Sequence, residues 1–182
     1  LPGGTWPRGQ IIELLVDAPG PSEVSLCLPA LAQNRERPCL WVLPARAGVH
    51  SRSATTLPFA GQLAAAGLDP ARQFVAQPAT ARETWWVLEQ ALRSRQFGAV
   101  VAWLPTGSCD GDRRGLRRLQ GLAASGDALS VIVRAADAEQ TPSSAGVRLA
   151  IDHVDNTGRI QVRLLRRRER PLIEPLGLQL PS

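Results

Sequence analysis

Short apolar runs and amphipathic helical stretches alternate along most of this chain, and few folds accommodate that order. The runs at 10–16, 38–43, 73–77, 99–104, 129–134, 147–152 and 159–166 are short and alternate or rely on β-branched and aromatic residues, which marks them as strands. Helical stretches lie between them. Residues 21–33 open with Ser22 as the expected N-cap, and 58–66 is alanine-rich and stopped by Gly67. Residues 80–96 begin with Thr80-Ala-Arg-Glu83, the spacing of a capping box, and 112–124 lies between Gly111 and Gly126. Helical crossovers between strands predict a three-layer α/β domain, its mainly parallel sheet covered by helices on both faces. The last two strands have no helix between them and are joined by Asp155-Asn156-Thr157-Gly158, which predicts an antiparallel C-terminal hairpin. Residues 105–111 and 135–146 read as loops. The expected organisation is a core over 1–158, with an arginine-rich strand and a Pro/Leu tail over 159–182 belonging to the same domain.

With 182 residues, 44% of them hydrophobic and 20% charged, the chain can bury a sizeable core and is not expected to be disordered. No apolar run approaches the roughly 20 residues that cross a bilayer, so no membrane partner is expected. Methionine is absent, so residues upstream of Leu1 are expected. Cys27, Cys39 and Cys109 are odd in number and form no C-x-x-C pair, and His50 and His153 lie near none of them. These spacings argue against zinc and for buried thiols in a reducing cytoplasm.

All 21 basic residues are arginine, and the formal net charge is +5. Arg113, Arg114, Arg117 and Arg118 form one cluster, whose i, i+4 spacing sets two rows of guanidinium groups on one side of a helix. Arg166, Arg167 and Arg168 belong to a second. Each cluster is either a solvated face or a contact for nucleic acid or an acidic protein surface. With no tyrosine and few phenylalanines, the chain offers little of the aromatic platform on which single strands stack.

The first strand, Gln10-Ile-Ile-Glu-Leu-Leu-Val16, leads into a segment that can be aligned with the phosphate-binding template G-x-x-x-x-G-K-[ST]. Asp17 then takes the first glycine, Ser22 the second, Glu23 the lysine and Val24 the hydroxyl that would hold magnesium. A carboxylate at the lysine position repels phosphate, and a charge-assisted hydrogen bond of about 1.5–3 kcal/mol is lost with it.

In order, these elements resemble the RecA-like superfamily over nearly the whole chain, and more closely the ImuA family, RecA-like accessory proteins of bacterial mutagenic translesion synthesis. The resemblance rests on Leu1-Pro-Gly-Gly-Thr-Trp-Pro-Arg-Gly9, Ser25-Leu-Cys-Leu-Pro-Ala-Leu31 and Leu63-Ala-Ala-Ala-Gly-Leu-Asp-Pro70. Glu89-Gln-Ala-Leu92, Ala99-Val-Val-Ala-Trp-Leu-Pro105 and Leu116-Arg-Arg-Leu-Gln120 follow, then Val147-Arg-Leu-Ala-Ile151 and Val162-Arg-Leu-Leu-Arg-Arg167. A RecA-like ATPase would end its central strand in a magnesium-supporting aspartate, where this chain has Ala99-Val-Val-Ala-Trp103. The strand at 38–43 lacks the expected catalytic glutamate, and Val131-Ile-Val-Arg134-Ala135 lacks the polar sensor. The resemblance therefore implies a non-enzymatic adaptor in the DNA-damage (SOS) response, without a cofactor or catalytic residue. Its implied partner is an ImuB-like inactive Y-family polymerase homologue and, through it, an error-prone replicative-type polymerase; RecA or single-stranded DNA are further candidates. A SulA-type cell-division inhibitor acting on FtsZ is the competing reading.

The remaining candidates are contacts. Trp85 shares the apolar stripe of Leu88, Ala91 and Leu92, whereas Trp86 falls about 100° away beside Glu89, Gln90 and Arg93. Trp86 is thus the candidate exposed aromatic, unless a neighbouring loop covers it, and Trp41 and Trp103, on central strands, are expected in the core. In the tail, Leu172, Ile173 and Leu176 either pack on the chain's own sheet or dock on a partner.

Overall fold

The structure, a computed structural model, describes residues 6–18, 20–33, 36–43, 60–104, 109–153, 159–167 and 176–179. Among the described residues eight strands form one sheet: β1 Ile11–Val16, β2 Cys39–Val42, β3 Gln73–Ala76, β4 Ala99–Trp103, β5 Leu129–Ala135, β6 Val147–His153, β7 Arg159–Arg167 and β8 Leu176–Gln179. Their spatial order is β3-β2-β4-β5-β1-β6-β7-β8. Every pairing from β3 to β6 is parallel, and β6–β7 and β7–β8 are antiparallel. The predicted architecture is therefore the observed one; the turn at 155–158 lies outside the described residues. Helices α1 Pro21–Ala32, α2 Ala60–Ala65, α3 Ala81–Ser94 and α4 Cys109–Ala124 complete it.

Strand alternation divides the core in two. On β1, Ile12, Leu14 and Val16 join α1 residues Val24, Cys27 and Leu31 in one apolar cluster, while Ile11 faces the other with Leu88 and Leu92 of α3 and Leu116 and Leu119 of α4. Being covered on both faces, β1 is buried at all six positions. Helices α3 and α4 lie close because Gly115 leaves room: a Cβ there would sit 2.6 Å from the Trp85 ring. Gly67, expected to stop the helix, follows α2 with φ of 76°, in the left-handed region that favours glycine.

Four local expectations need correction. The N-cap of α1 is Gly20, with Pro21 at the first helical position, where its missing N–H costs nothing; Ser22 is buried inside the first turn. Glu83 accepts the N–H of Ala79 (2.8 Å) rather than that of the Thr80 N-cap, although Thr80 Oγ1 does accept the Glu83 N–H (3.2 Å). Helix α4 starts at Cys109, three residues before the expected start at 112. The segment 135–146 is not all loop, because Ala136–Gln140 forms a 3-10 helix whose Ala138 is buried beside Leu15 and Ala150.

Burial pushes the Cys27 thiol far above its ordinary pKa, with the nearby Glu23 carboxylate adding to the rise, and burial pushes Cys39 up to about 12. Both thiols are expected to stay protonated at neutral pH. In a Cys109→Ser variant, native protein should react with a thiol reagent orders of magnitude more slowly than urea-unfolded protein; comparable rates would place these thiols at the surface. The same shifts predict an alkaline loss of stability, since raised folded pKa values protect the fold only until pH passes the unfolded value near 9.0.

Candidate functional site

In open α/β sheets ligands bind beyond the carboxyl ends of the strands, where β1 hands over to the N-terminus of its helix. The four residues aligned with the phosphate-binding loop lie there: Asp17 is exposed just after β1, and Ser22, Glu23 and Val24 are buried in the first turn of α1. Glu23, 1% exposed, dominates the geometry. Its Oε1 accepts the backbone N–H of Gly20 at 2.8 Å and the indole Nε1–H of Trp103 at 3.0 Å. A carboxylate among the unpaired N–H groups of a helix start is stabilised by the same dipole that would favour a phosphate. Its second oxygen, Oε2, is buried without a hydrogen-bond partner.

Trp103 ends β4, where the resemblance places a magnesium-supporting aspartate. Its ring stacks on Trp41 of β2 with centroids 6.2 Å apart and an interplanar angle of 24°. Trp41 in turn donates its Nε1–H to Gln73 of β3 at 3.0 Å. Two indoles and one carboxylate thus occupy the space beneath the start of α1. Both tryptophans are core, as expected, but the bond from Trp103 to Glu23 was not legible from sequence spacing.

Arg134, at the expected sensor position on β5, lies in a buried ion network that sequence reasoning missed. Its guanidinium donates to Glu13 Oε1 of β1 (2.6 Å) and to Asp112 Oδ2 of α4 (2.9 Å). Arg148 of β6 donates to the other Glu13 oxygen (2.5 Å) and to the Ala138 carbonyl (2.7 Å). The signal was available: Glu13 stands alone among Ile11, Ile12, Leu14 and Leu15, and an unpaired charge is not buried in a central strand.

The surface candidates fall in two regions. Trp86 is 61% exposed on α3, and Arg113, Arg114, Arg117 and Arg118 are all exposed on α4, as expected. Arg118 pairs with Glu89 of α3 at 2.9 Å. Near the other end of the sheet, Arg166 is exposed on β7 and donates to the Ser143 carbonyl at 2.6 Å; Arg167 ends that strand. Leu176 opens β8, paired in register with Val162, so this part of the tail adds to the chain's own sheet. Arg168, Leu172 and Ile173 lie outside the described residues. Sequence reasoning overlooked Phe74 and Val75, about half exposed on the outer strand β3. Among the described residues no group of histidine, cysteine or acidic side chains could hold a metal ion, and no helix is long and apolar enough to cross a membrane.

No protein-family model matches the chain, and no curated protein matches it in sequence. Among solved structures it is similar to the crystal structure of the RadB recombinase, with a TM-score of 0.70 and 18% identity, covering 98% of this chain and 90% of that one. At that identity the likeness shows the fold, which is RecA-like.

Proposed function

We propose that this chain is a non-enzymatic RecA-like adaptor whose nucleotide site is filled by its own side chains. The carrying observation is the Glu23 carboxylate at the start of α1, hydrogen-bonded by Gly20 and Trp103 where a bound phosphate would sit. Phosphoryl transfer depends on positioning and on cationic stabilisation of the transferring group. Here the lysine, hydroxyl, aspartate and sensor positions carry Glu23, Val24, Trp103 and Arg134, and Arg134 is committed to Glu13 and Asp112. An incoming phosphate would meet a buried anion, with two stacked indoles beneath it.

By the ImuA resemblance, the partner of this adaptor is an inactive polymerase-like protein of mutagenic translesion synthesis. A solved recombinase with the same fold supports a setting in DNA transactions. The SulA-type reading predicts instead a complex with FtsZ, and a co-purification with both proteins in parallel separates the two. The exposed arginines of α4 favour a second reading, an accessory protein that touches single-stranded DNA directly. Calorimetry with magnesium-ATP at millimolar concentration should give no heat of binding, whereas a micromolar dissociation constant would overturn the proposal.

A further inference from the structure

We infer that the outward faces of α3 and α4 form one docking surface, and that its occupant is an acidic amphipathic helix of a protein partner. This deepens the adaptor reading by assigning it a surface. The two helices run side by side in the same direction: Trp85 meets Gly115, and one turn further on Glu89 meets Arg118. Trp86, next to Trp85 but turned from the sheet, therefore stands level with the first exposed arginines of α4. Arg82 and Arg93 flank it on α3, one turn before and two turns after, and both are exposed. Across the helix pair lie Arg114 and Arg117, for which no ion pair is recorded among the described residues. Among the described side chains of α3 and α4, the exposed or half-buried acidic groups are Glu83, bonded to the Ala79 N–H, and Glu89, paired with Arg118. The surface is thus a cationic frame around one large apolar ring.

Charge and chemistry select the occupant. A second copy would bring the same arginines against these and be repelled. Residues 44–59 of this chain hold Arg46 and Arg52 and no carboxylate, so they offer no complementary charge. A single strand of nucleic acid would find one stacking ring where strand-binding grooves present several. Tryptophan and arginine are the residue types enriched at protein interface hot spots. The rows at Arg114 and Arg117, and at Arg82, Trp86 and Arg93, repeat at three, four and seven residues, the spacing that a helix with glutamates on one edge and a leucine row beside them would match.

The test is fluorescence anisotropy with a labelled designed helix of 21 residues carrying that glutamate–leucine pattern, alongside the same peptide with lysine for glutamate and a dT20 oligonucleotide. The glutamate peptide should bind, and the lysine peptide should not. Trp86→Ala and the double variant Arg114→Glu/Arg117→Glu should each weaken binding about tenfold or more, with unchanged thermal midpoints. A charge-matched control on other elements, Arg8→Glu/Arg72→Glu, should change it less than about twofold. Absence of binding overturns the inference, as does equal loss in the control, which would reduce it to net charge. Binding of dT20 tighter than the peptide and lost in the same variants would assign the face to nucleic acid and also overturn it. None of these outcomes bears on the calorimetric test of the nucleotide site, so the two readings fail separately.

Discussion

Replacing Glu13 with alanine should cost the domain about 3–5 kcal/mol, a large share of a typical single-domain stability. Glu13 is wholly buried, and each of its oxygens takes one guanidinium, Arg134 at 2.6 Å and Arg148 at 2.5 Å. Truncation leaves Arg134 with Asp112 alone and Arg148 with only the Ala138 carbonyl, so a buried positive charge loses its counter-ion. Urea unfolding should show the midpoint falling with little change in slope. Replacing the Glu13–Arg148 pair together with leucine and methionine should recover much of the loss, because the penalty comes from the orphaned charge and not from the absence of the pair. A loss below about 1 kcal/mol in Glu13→Ala would mean that water reaches the network.

The network also orients the proposed docking surface. It ties β1, β5 and β6 to Asp112 in the first turns of α4, the helix that carries Arg114 and Arg117. Gln120, further along the same helix, accepts the N–H groups of Ile11 (3.0 Å) and Gly146 (3.2 Å). Two buried polar anchors on one face of α4 thus fix which side its arginines present outward. The same residues that hold the fold set the exposure of the proposed docking face.

The elements that sequence made legible are those whose signal is local. Strand β1 is read from its unbroken apolar run, α3 from the Thr80 cap and the Leu88–Ala91–Leu92 stripe, and the closing hairpin from two strands with no helix between them. Local signals misplaced caps and helix ends where short-range partners compete, and misread a residue's role where a neighbour in space decided. Ser22 has the chemistry of an N-cap, but Gly20 holds the capping position because the Glu23 carboxylate reaches back to its N–H. Arg134 looked like a failed sensor until β1 and β6 placed Glu13 and Arg148 beside it. Helical phase set Trp86 on the polar side of α3, and the structure shows that no neighbouring segment among the described residues covers it. Its grouping with the α4 arginines needed the Trp85–Gly115 approach, a contact between residues 30 positions apart in sequence.

The second large effect is expected at Trp103. Its ring is 2% exposed, stacks on Trp41 and donates to Glu23, so three interactions leave together when it is removed. Trp103→Ala should cost about 3–5 kcal/mol from lost transfer and cavity terms, the usual range for a large buried aromatic. Trp103→Phe keeps most of the apolar contact but strips Glu23 of its indole donor, which should cost about 1–3 kcal/mol for a buried acceptor deprived of a partner. The difference between the two variants therefore measures packing, and the cost of the phenylalanine variant measures chiefly the hydrogen bond. Circular dichroism in the indole bands supplies a second readout, because two stacked indoles 6.2 Å apart couple and the coupled signal should vanish in both variants. If the phenylalanine variant is as stable as the parent, the Trp103–Glu23 bond contributes nothing, and the proposed filling of the nucleotide site would rest on packing alone. If it is destabilised and still shows no heat with magnesium-ATP, the carboxylate itself remains as the barrier, since Glu23 keeps its bond to Gly20 and goes on presenting an anion where a phosphate would have to bind.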